Sequence, residues 1–193
     1  MYKIISFVFL CLFLVSENIY AQDYQSAHII TVGVDVNKKG KVTKKYVFFG
    51  LLNNGKLSTF GGLRDQGEKN PKVTAAREAE EEALGVFGNQ KTIKKWLKNI
   101  SPCFEVDGHI CYVLPERNYG KDVSTRFKQI RFDKKIKLSR SQKEMVDIIA
   151  VDVYKIREKV LQNEALHFED NEGVLRPVRI EAPLIEAVLN GHL

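Results

Sequence analysis

Residues 61–88, GGLRDQGEKNPKVTAAREAEEEALGVFG, determine how this chain is organised. Gly61–Lys69 is rich in glycine and charge, which predicts a loop. Asn70-Pro71 then predicts the start of a helix, because Asn is a good N-cap and Pro suits the first helical turn. We expect that helix to run to about Leu84 and to stop at Gly85. The segment is therefore predicted to be a loop that leads directly into a helix.

Acidic side chains dominate one side of this predicted helix. At about 100° per residue, Glu78, Glu81 and Glu82 fall within one sector of roughly 100°. Glu80 points toward the opposite side, which can pack on a sheet through Val73, Ala76, Ala79 and Ala83. Three carboxylates on one narrow face repel each other unless a cation neutralises them, and such oxygen ligands suit Mg²⁺ or Mn²⁺. The alternative, for an acidic helix taken alone, is a solvated face.

The same segment resembles the Nudix box. That motif has a glycine, five residues, a glutamate, seven residues, and then Arg-Glu, an apolar residue, any residue, Glu-Glu, any residue and Gly. Gly62, Glu68 and the run Arg77–Glu82 fit this pattern. Two spacers depart from it, because eight residues separate Glu68 from Arg77 and two residues, Ala83-Leu84, stand before the last glycine. Both extra residues lie outside the run that carries the acidic side chains.

The resemblance implies a role for each matching residue. Gly61 and Gly62 would let the backbone pass close to a diphosphate. Glu68 would help through a second shell or a water, and Arg77 would hold one of the carboxylates without touching the substrate. The main ligands of Mg²⁺ or Mn²⁺ would be the three carboxylates on the helix face: Glu78, Glu81 and Glu82.

The resemblance further implies a hydrolase that cleaves the pyrophosphate of a nucleoside diphosphate linked to another group. Its catalytic residues would be Arg77, Glu78, Glu81 and Glu82 of the box. Its general base would be a box glutamate or a carboxylate on a later loop, for which Glu144 is the candidate. The alternative is a catalytically weak or inactive module of the same fold that binds a nucleotide, an RNA or a protein partner. The sequence leaves the substrate and the oligomeric state open.

The first 21 residues are expected to be a signal peptide that is cleaved. A short positive start over residues 1–3 precedes an apolar run over residues 4–15, which is too short to span a bilayer and fits a secretory leader. Ile19-Tyr20-Ala21 offers a cleavage site, and the alternative is a buried N-terminal strand or helix. Residues 22–193 would then form a single Nudix-like domain that is secreted or periplasmic and has no membrane association after cleavage.

Export would leave Cys103 and Cys111 in an oxidising compartment. Asp107-Gly108 between them predicts a hairpin turn. A three-residue loop over Val106–Gly108 would place the cysteines opposite each other and allow a disulfide. A two-residue loop would put them on opposite faces, and two buried thiols are the remaining alternative.

Composition and pattern predict one α/β domain. The chain is 44% hydrophobic and 28% charged, which excludes a mainly disordered chain and a coiled coil. A net charge of +6 favours anionic partners, but alone it does not establish nucleic-acid binding. Interleaved strands and helices argue for a sandwich with a mixed sheet, and the resemblance specifies a Nudix-type α/β/α sandwich. Strands are predicted over Ile30–Val36, Tyr46–Leu52, Lys56–Phe60, Phe127–Leu138 and Ile148–Tyr154, and further helices over Thr92–Asn99, Lys155–Gln162 and Pro183–Asn190.

Overall fold

The computed structural model describes residues 24–179 and 181–193. The predicted signal peptide, residues 1–21, lies outside this range. The strands are β1 (Ser26–Val36), β2 (Val42–Leu52), β3 (Leu57–Ser58), β4 (Phe60–Leu63), β5 (Phe104–Val106), β6 (His109–Val113), β7 (Met145–Asp152), β8 (His167–Glu169) and β9 (Leu175–Pro177). The helices are α1 (Pro71–Glu82), α2 (Gln90–Leu97), α3 (Val123–Arg131), α4 (Val153–Leu161) and α5 (Ala182–Leu189), and a 3₁₀ turn spans Ser141–Lys143.

A mixed β-sheet forms the middle layer. Its path runs β3-β2-β1-β6-β5, with β4 paired to β1 and β7 paired to β2. The β1–β6 pair is parallel, whereas β1 pairs antiparallel with β2 and β4. Two hydrophobic cores lie on the two faces, one beneath α1, α2 and α3 and the other beneath α4 and α5. The predicted α/β sandwich with a mixed sheet is confirmed.

Strand β1 serves both cores because its side chains alternate between the two faces of the sheet. Ala27 and Ile29 lie in the core beneath α1, whereas Ile30 and Val32 lie in the core beneath α4 and α5. All four side chains are almost fully buried. The strand is therefore apolar along most of its length, as expected for a central strand covered on both sides.

Helix α1 begins and ends close to where the sequence predicts. The Asn70 side chain accepts a hydrogen bond of 2.9 Å from the Lys72 N–H, and Pro71 occupies the first turn. The helix ends at Glu82, and Leu84 (φ 51°) and Gly85 (φ 72°) then turn the chain away through left-handed conformations. The structure differs at the preceding segment, where Gly61–Leu63 belongs to β4 rather than to the predicted loop.

The predicted strand over Phe127–Leu138 is wrong, because Phe127–Arg131 belongs to α3 and residues 132–138 form turns and irregular structure. Val123 and Phe127 are buried on one face of the helix, and Ile130 packs against the same core, which is helical spacing. Phe132 is 64% exposed, so the apolar residue that suggested alternation does not enter the core. The β8–β9 hairpin is absent from the sequence prediction and carries Phe168 into the core beneath α4 and α5.

The hairpin between the cysteines closes with a two-residue turn, so the three-residue loop is wrong. Asp107 (φ 49°) and Gly108 (φ 76°) connect Val106 to its partner His109. Both cysteines are nevertheless buried in the same core as free thiols. The opposite-face prediction fails because Cys103 lies just before the ladder, where its N–H also donates to the Cys111 carbonyl, over 2.8 Å.

No helix within residues 24–179 and 181–193 is long and apolar enough to cross a bilayer.

Candidate functional site

Helix α1 brings its carboxylates against the glycine pair of β4. The Gly61 N–H donates to Glu82 Oε2 over 2.7 Å. A Cβ placed on Gly62 would lie only 2.6 Å from Glu78 Cδ, so the Glu78 carboxylate rests directly on the Gly62 backbone. The structure therefore brings together two helix carboxylates and both glycines that the sequence singled out.

Gly61 sits where a side chain would clash with the neighbouring strand β1. It is paired with His28 of β1 and has a φ of 156°. A Cβ at Gly61 would approach His28 Cα to 2.4 Å. Glycine at this position therefore lets β4 pair closely with β1, while its N–H donates to Glu82.

Arg77 connects the strand to several acidic side chains. Its Nε donates to Glu68 Oε1 over 3.0 Å, and its Nη1 donates to Glu78 Oε1 over 2.7 Å. Its Nη2 reaches the Leu63 carbonyl over 3.1 Å, and its Nη1 lies 3.6 Å from Glu81 Oε2. The Arg77 side chain is 17% exposed. Arg77 therefore holds the side chains of Glu68 and Glu78 by ion pairs, and its role in a metal site stays a prediction.

Glu68 is held from several directions. Its Oε2 accepts hydrogen bonds from Thr74 Oγ1 and from the Asp65 N–H, while Arg77 binds both of its oxygens. Tyr24 OH in turn lies 2.7 Å from Thr74 Oγ1. Burial alone would raise the pKa of Glu68, but these hydrogen bonds outweigh it and lower the pKa. The roles of Thr74, Asp65 and Tyr24 are absent from the sequence prediction, because single hydroxyl and carboxyl groups carry no spacing signal.

Burial and neighbouring negative charges raise the pKa values of two carboxyl groups on α1. Glu82 is 8% exposed, and burial raises its pKa to about 8. The Gly61 N–H opposes that shift, whereas the charges of Glu78 and Glu144 add to it. Burial also raises the pKa of Glu78, against the opposing effect of Arg77. The acidic residues are therefore close enough to interact electrostatically.

The other glutamates occupy three different settings. Glu81 is half-buried, and its Oε2 lies 3.4 Å from Ser141 Oγ of the 3₁₀ turn. Glu80 accepts a hydrogen bond of 2.7 Å from the Gln90 N–H, so it ties the end of α1 to the start of α2. Glu144 is exposed directly after the 3₁₀ turn, and its charge acts on Glu82.

The side chains on this face of α1 offer the kind of ligand atom that a hard divalent cation binds. Glu78, Glu81 and Glu82 offer only carboxylate oxygens, the ligand type that Mg²⁺ prefers. In the described part of the chain, no three His, Cys, Asp or Glu side chains are already gathered as a ligand set. The reason is visible at two of the carboxylates, since Glu78 is turned to Arg77 and Glu82 to the Gly61 N–H.

Comparison with known proteins found a structural similarity at low sequence identity. No family model and no curated protein matches the chain. Among solved structures, the chain is similar to a mutT/nudix family protein from Listeria innocua, with 14% identity and a TM-score of 0.43. The similarity covers 89% of this chain and 94% of that one. A likeness at this level supports neither a family assignment nor an activity, so the function is argued from the site itself.

Proposed function

We propose that this protein is a divalent-metal-dependent pyrophosphohydrolase of the Nudix type, acting on a nucleoside diphosphate linked to another group. The observation that carries the proposal is the assembly of the β4 glycines with the α1 carboxylates. Gly61 donates its N–H to Glu82, and Gly62 leaves room for the Glu78 carboxylate. These residues come from the two ends of the Nudix-like motif.

Mg²⁺ or Mn²⁺ would be held by Glu78, Glu81 and Glu82. When bound, the cation would neutralise pyrophosphate oxygens and lower the pKa of a water that attacks phosphorus. Glu68 acts through Arg77 in this proposal, because its oxygens already accept hydrogen bonds from protein donors.

The chain's own residues would then orient the reaction. Gly61 and Gly62 allow a diphosphate to approach the strand backbone closely. Arg77 holds Glu78 by a 2.7 Å hydrogen bond and so fixes the carboxylate that faces Gly62. Glu144 is the candidate general base, since it is exposed on the loop beside the site and its charge acts on Glu82.

The test is a hydrolysis assay of the purified protein on ADP-ribose, dinucleoside polyphosphates, NADH, nucleoside triphosphates and capped RNA, with and without Mg²⁺. We expect turnover with Mg²⁺ and at least a 100-fold loss in the double variant Glu81→Gln plus Glu82→Gln. The matched control is Glu158→Gln on the exposed face of α4, which should leave the rate unchanged. Full activity in the double variant would refute the metal-site assignment.

A binding module without turnover is the second candidate. One observation favours it, namely that Arg77 already neutralises Glu68 and Glu78 within the protein. Nucleotide binding with no hydrolysis across the same panel would select this candidate.

Export through the leader predicted in residues 1–21 is part of the proposal. N-terminal sequencing of the protein recovered outside the cytoplasm should begin near Gln22. A start at Met1 would refute cleavage.

A further inference from the structure

The two cysteines of the β5–β6 hairpin lie in one core as free thiols and are joined by hydrogen bonds. The Cys103 N–H donates to the Cys111 carbonyl over 2.8 Å, and the Cys103 thiol donates to the same oxygen over 3.4 Å. We infer that Cys103 and Cys111 form an intrachain disulfide when the protein meets a disulfide oxidant, such as the disulfide of a small thiol.

An irregularity at the start of β5 puts both thiols on the same side of the sheet. Phe104 is paired with Cys111, so strict alternation would point Cys103 to the opposite face. Cys103 instead lies in the same core as Cys111, and Phe104 packs against that core. Cys103 and Phe104 therefore both face Cys111, which is the two-against-one arrangement of a β-bulge.

The backbone brings the two cysteines within the range of a disulfide. The hydrogen bond of 2.8 Å from Cys103 N to Cys111 O, together with the covalent bonds on either side, limits the separation of their Cα atoms to at most about 6.7 Å. Disulfides in proteins span Cα separations of about 4.4–6.8 Å. The pair can therefore be bridged without moving either strand.

The two thiols differ in their access to solvent. Cys103 is 7% exposed, between the exposed residues Pro102 and Glu105 at the edge of the sheet, whereas Cys111 is 1% exposed. Strand β5 has three residues, and a short edge strand opens locally at low cost, which exposes Cys103 further. A hydrogen bond with the Cys111 thiol also lowers the pKa of Cys103, whereas burial raises the pKa of Cys111. Cys103 is therefore the thiol that meets the oxidant, and Cys111 has to reach Cys103 alone.

The reaction is a thiol–disulfide exchange in two steps. Cys103 Sγ, as the thiolate, attacks one sulfur of the oxidant, whose S–S bond breaks, and the first small thiol leaves with the proton that Cys103 released. Cys111 Sγ then attacks Cys103 Sγ, gives its proton to the second small thiol and displaces it. The two protein thiols are thereby oxidised to a disulfide, and the oxidant is reduced to two thiols.

The test uses the full chain with Cys11→Ser, which leaves two cysteines. The folded protein is incubated with excess oxidised glutathione, alkylated in denaturant and digested with trypsin. Lys98 and Arg117 enclose both cysteines with no Lys or Arg between them, so one tryptic peptide, residues 99–117, carries the pair. We expect a peptide that is two hydrogen atoms lighter than its reduced form and carries no alkyl group. A peptide with two alkyl groups, or a disulfide between two chains, would overturn the inference.

Two single variants test the order of the steps. Cys111→Ala should stop at the mixed disulfide, so the peptide gains one glutathione at Cys103. Cys103→Ala should leave Cys111 without glutathione, because Cys111 is almost fully buried. Glutathione on Cys111 and none on Cys103 would overturn the assigned order.

Thermal unfolding tests whether the bridge forms without strain. A disulfide between residues 103 and 111 restricts the unfolded chain, so the oxidised protein should have a Tm about 5–10 °C above that of the reduced protein. The matched control is the double variant Cys103→Ala plus Cys111→Ala, whose Tm should not respond to reductant. An unchanged Tm in the oxidised protein would contradict bridging without movement of the strands. Neither measurement uses turnover, so failure of the proposed hydrolase activity leaves this inference untouched.

Discussion

Replacing Gly62 by alanine tests the contact between β4 and the Glu78 carboxylate. The new Cβ would lie 2.6 Å from Glu78 Cδ and 2.7 Å from its Oε2. Non-bonded carbon atoms prefer separations of about 3.5–4.0 Å, so the carboxylate has to retreat by about 1 Å. Gly62 does not have a left-handed φ, so the backbone accepts alanine, and the three atoms nearest to the new Cβ all belong to the Glu78 carboxyl group.

This geometry separates activity from stability. A displacement of about 1 Å at a catalytic group is sufficient to lower the rate about 100-fold. The fold should lose less than about 1 kcal/mol, which corresponds to a Tm decrease of about 2–4 °C or less for a domain of this size. The assays are steady-state hydrolysis with Mg²⁺ and thermal unfolding in EDTA, made on the same preparation.

Gly40→Ala is the matched control. Gly40 lies in the β1–β2 turn with a φ of 76°, and a Cβ there would meet nothing within 4 Å. Strain in the left-handed region should therefore cost about 1 kcal/mol of stability without changing kcat. Wild-type kcat in a folded Gly62→Ala protein would refute the argument that the position of Glu78 matters for turnover.

Three further variants test the helix and its charges. Arg77→Lys removes the planar fork that binds Glu68 and Glu78, so Mg²⁺ affinity or kcat should fall about 10- to 100-fold, whereas wild-type kinetics would contradict the positioning role. Asn70→Ala removes the N-cap of α1 and should lower stability by about 1 kcal/mol, seen as a Tm decrease of about 2–4 °C with unchanged Mg²⁺ affinity. The pKa of Glu82 is about 8 in the folded protein, against an ordinary value of 4.5. The folded state therefore binds more protons than the unfolded state between these pH values. As a result, the metal-free protein loses stability as the pH rises from 4.5 to 8. Glu82→Gln should remove most of that dependence in Tm measurements made in EDTA, and an unchanged slope would show that Glu82 does not titrate there.

Local signals were sufficient to predict α1. The Asn70 cap and the glycine after the helix each determine the conformation of only the adjacent turn, so they can be recognised in the sequence. The error over Phe127–Leu138 arose because Ile130, Phe132, Ile136 and Leu138 follow an alternating pattern, whereas the helix begins outside that range, at Val123. Only packing decides between strand and helix, and in the structure Phe127 is buried against the core whereas Phe132 faces solvent.

The position of the loop after β6, in contrast, depends on long-range pairing. The loop that carries Arg117 and Tyr119 lies beside α2 because β6 runs parallel to β1, and the Leu114 N–H continues that pairing to the Ile30 carbonyl over 2.9 Å. A parallel neighbour is joined through a distant connection, so its identity is not encoded in adjacent residues. The sequence could therefore predict α1 and the angular spacing of its glutamates, but not which loop lies beside α2.

The positions of the two ends of α1 explain the two irregular spacers of the motif. The extra residue before Arg77 lies at the junction between loop and helix, where insertions are tolerated, and Glu68 still reaches Arg77 Nε over 3.0 Å. The extra residue after Glu82 falls in the left-handed turn at Leu84 and Gly85, beyond the last helical position. Neither insertion changes the angular spacing of the carboxylates on α1, because that spacing is fixed within the helix itself. The departures from the Nudix pattern are therefore no argument against cation binding, and the double substitution at Glu81 and Glu82 remains a direct test of it.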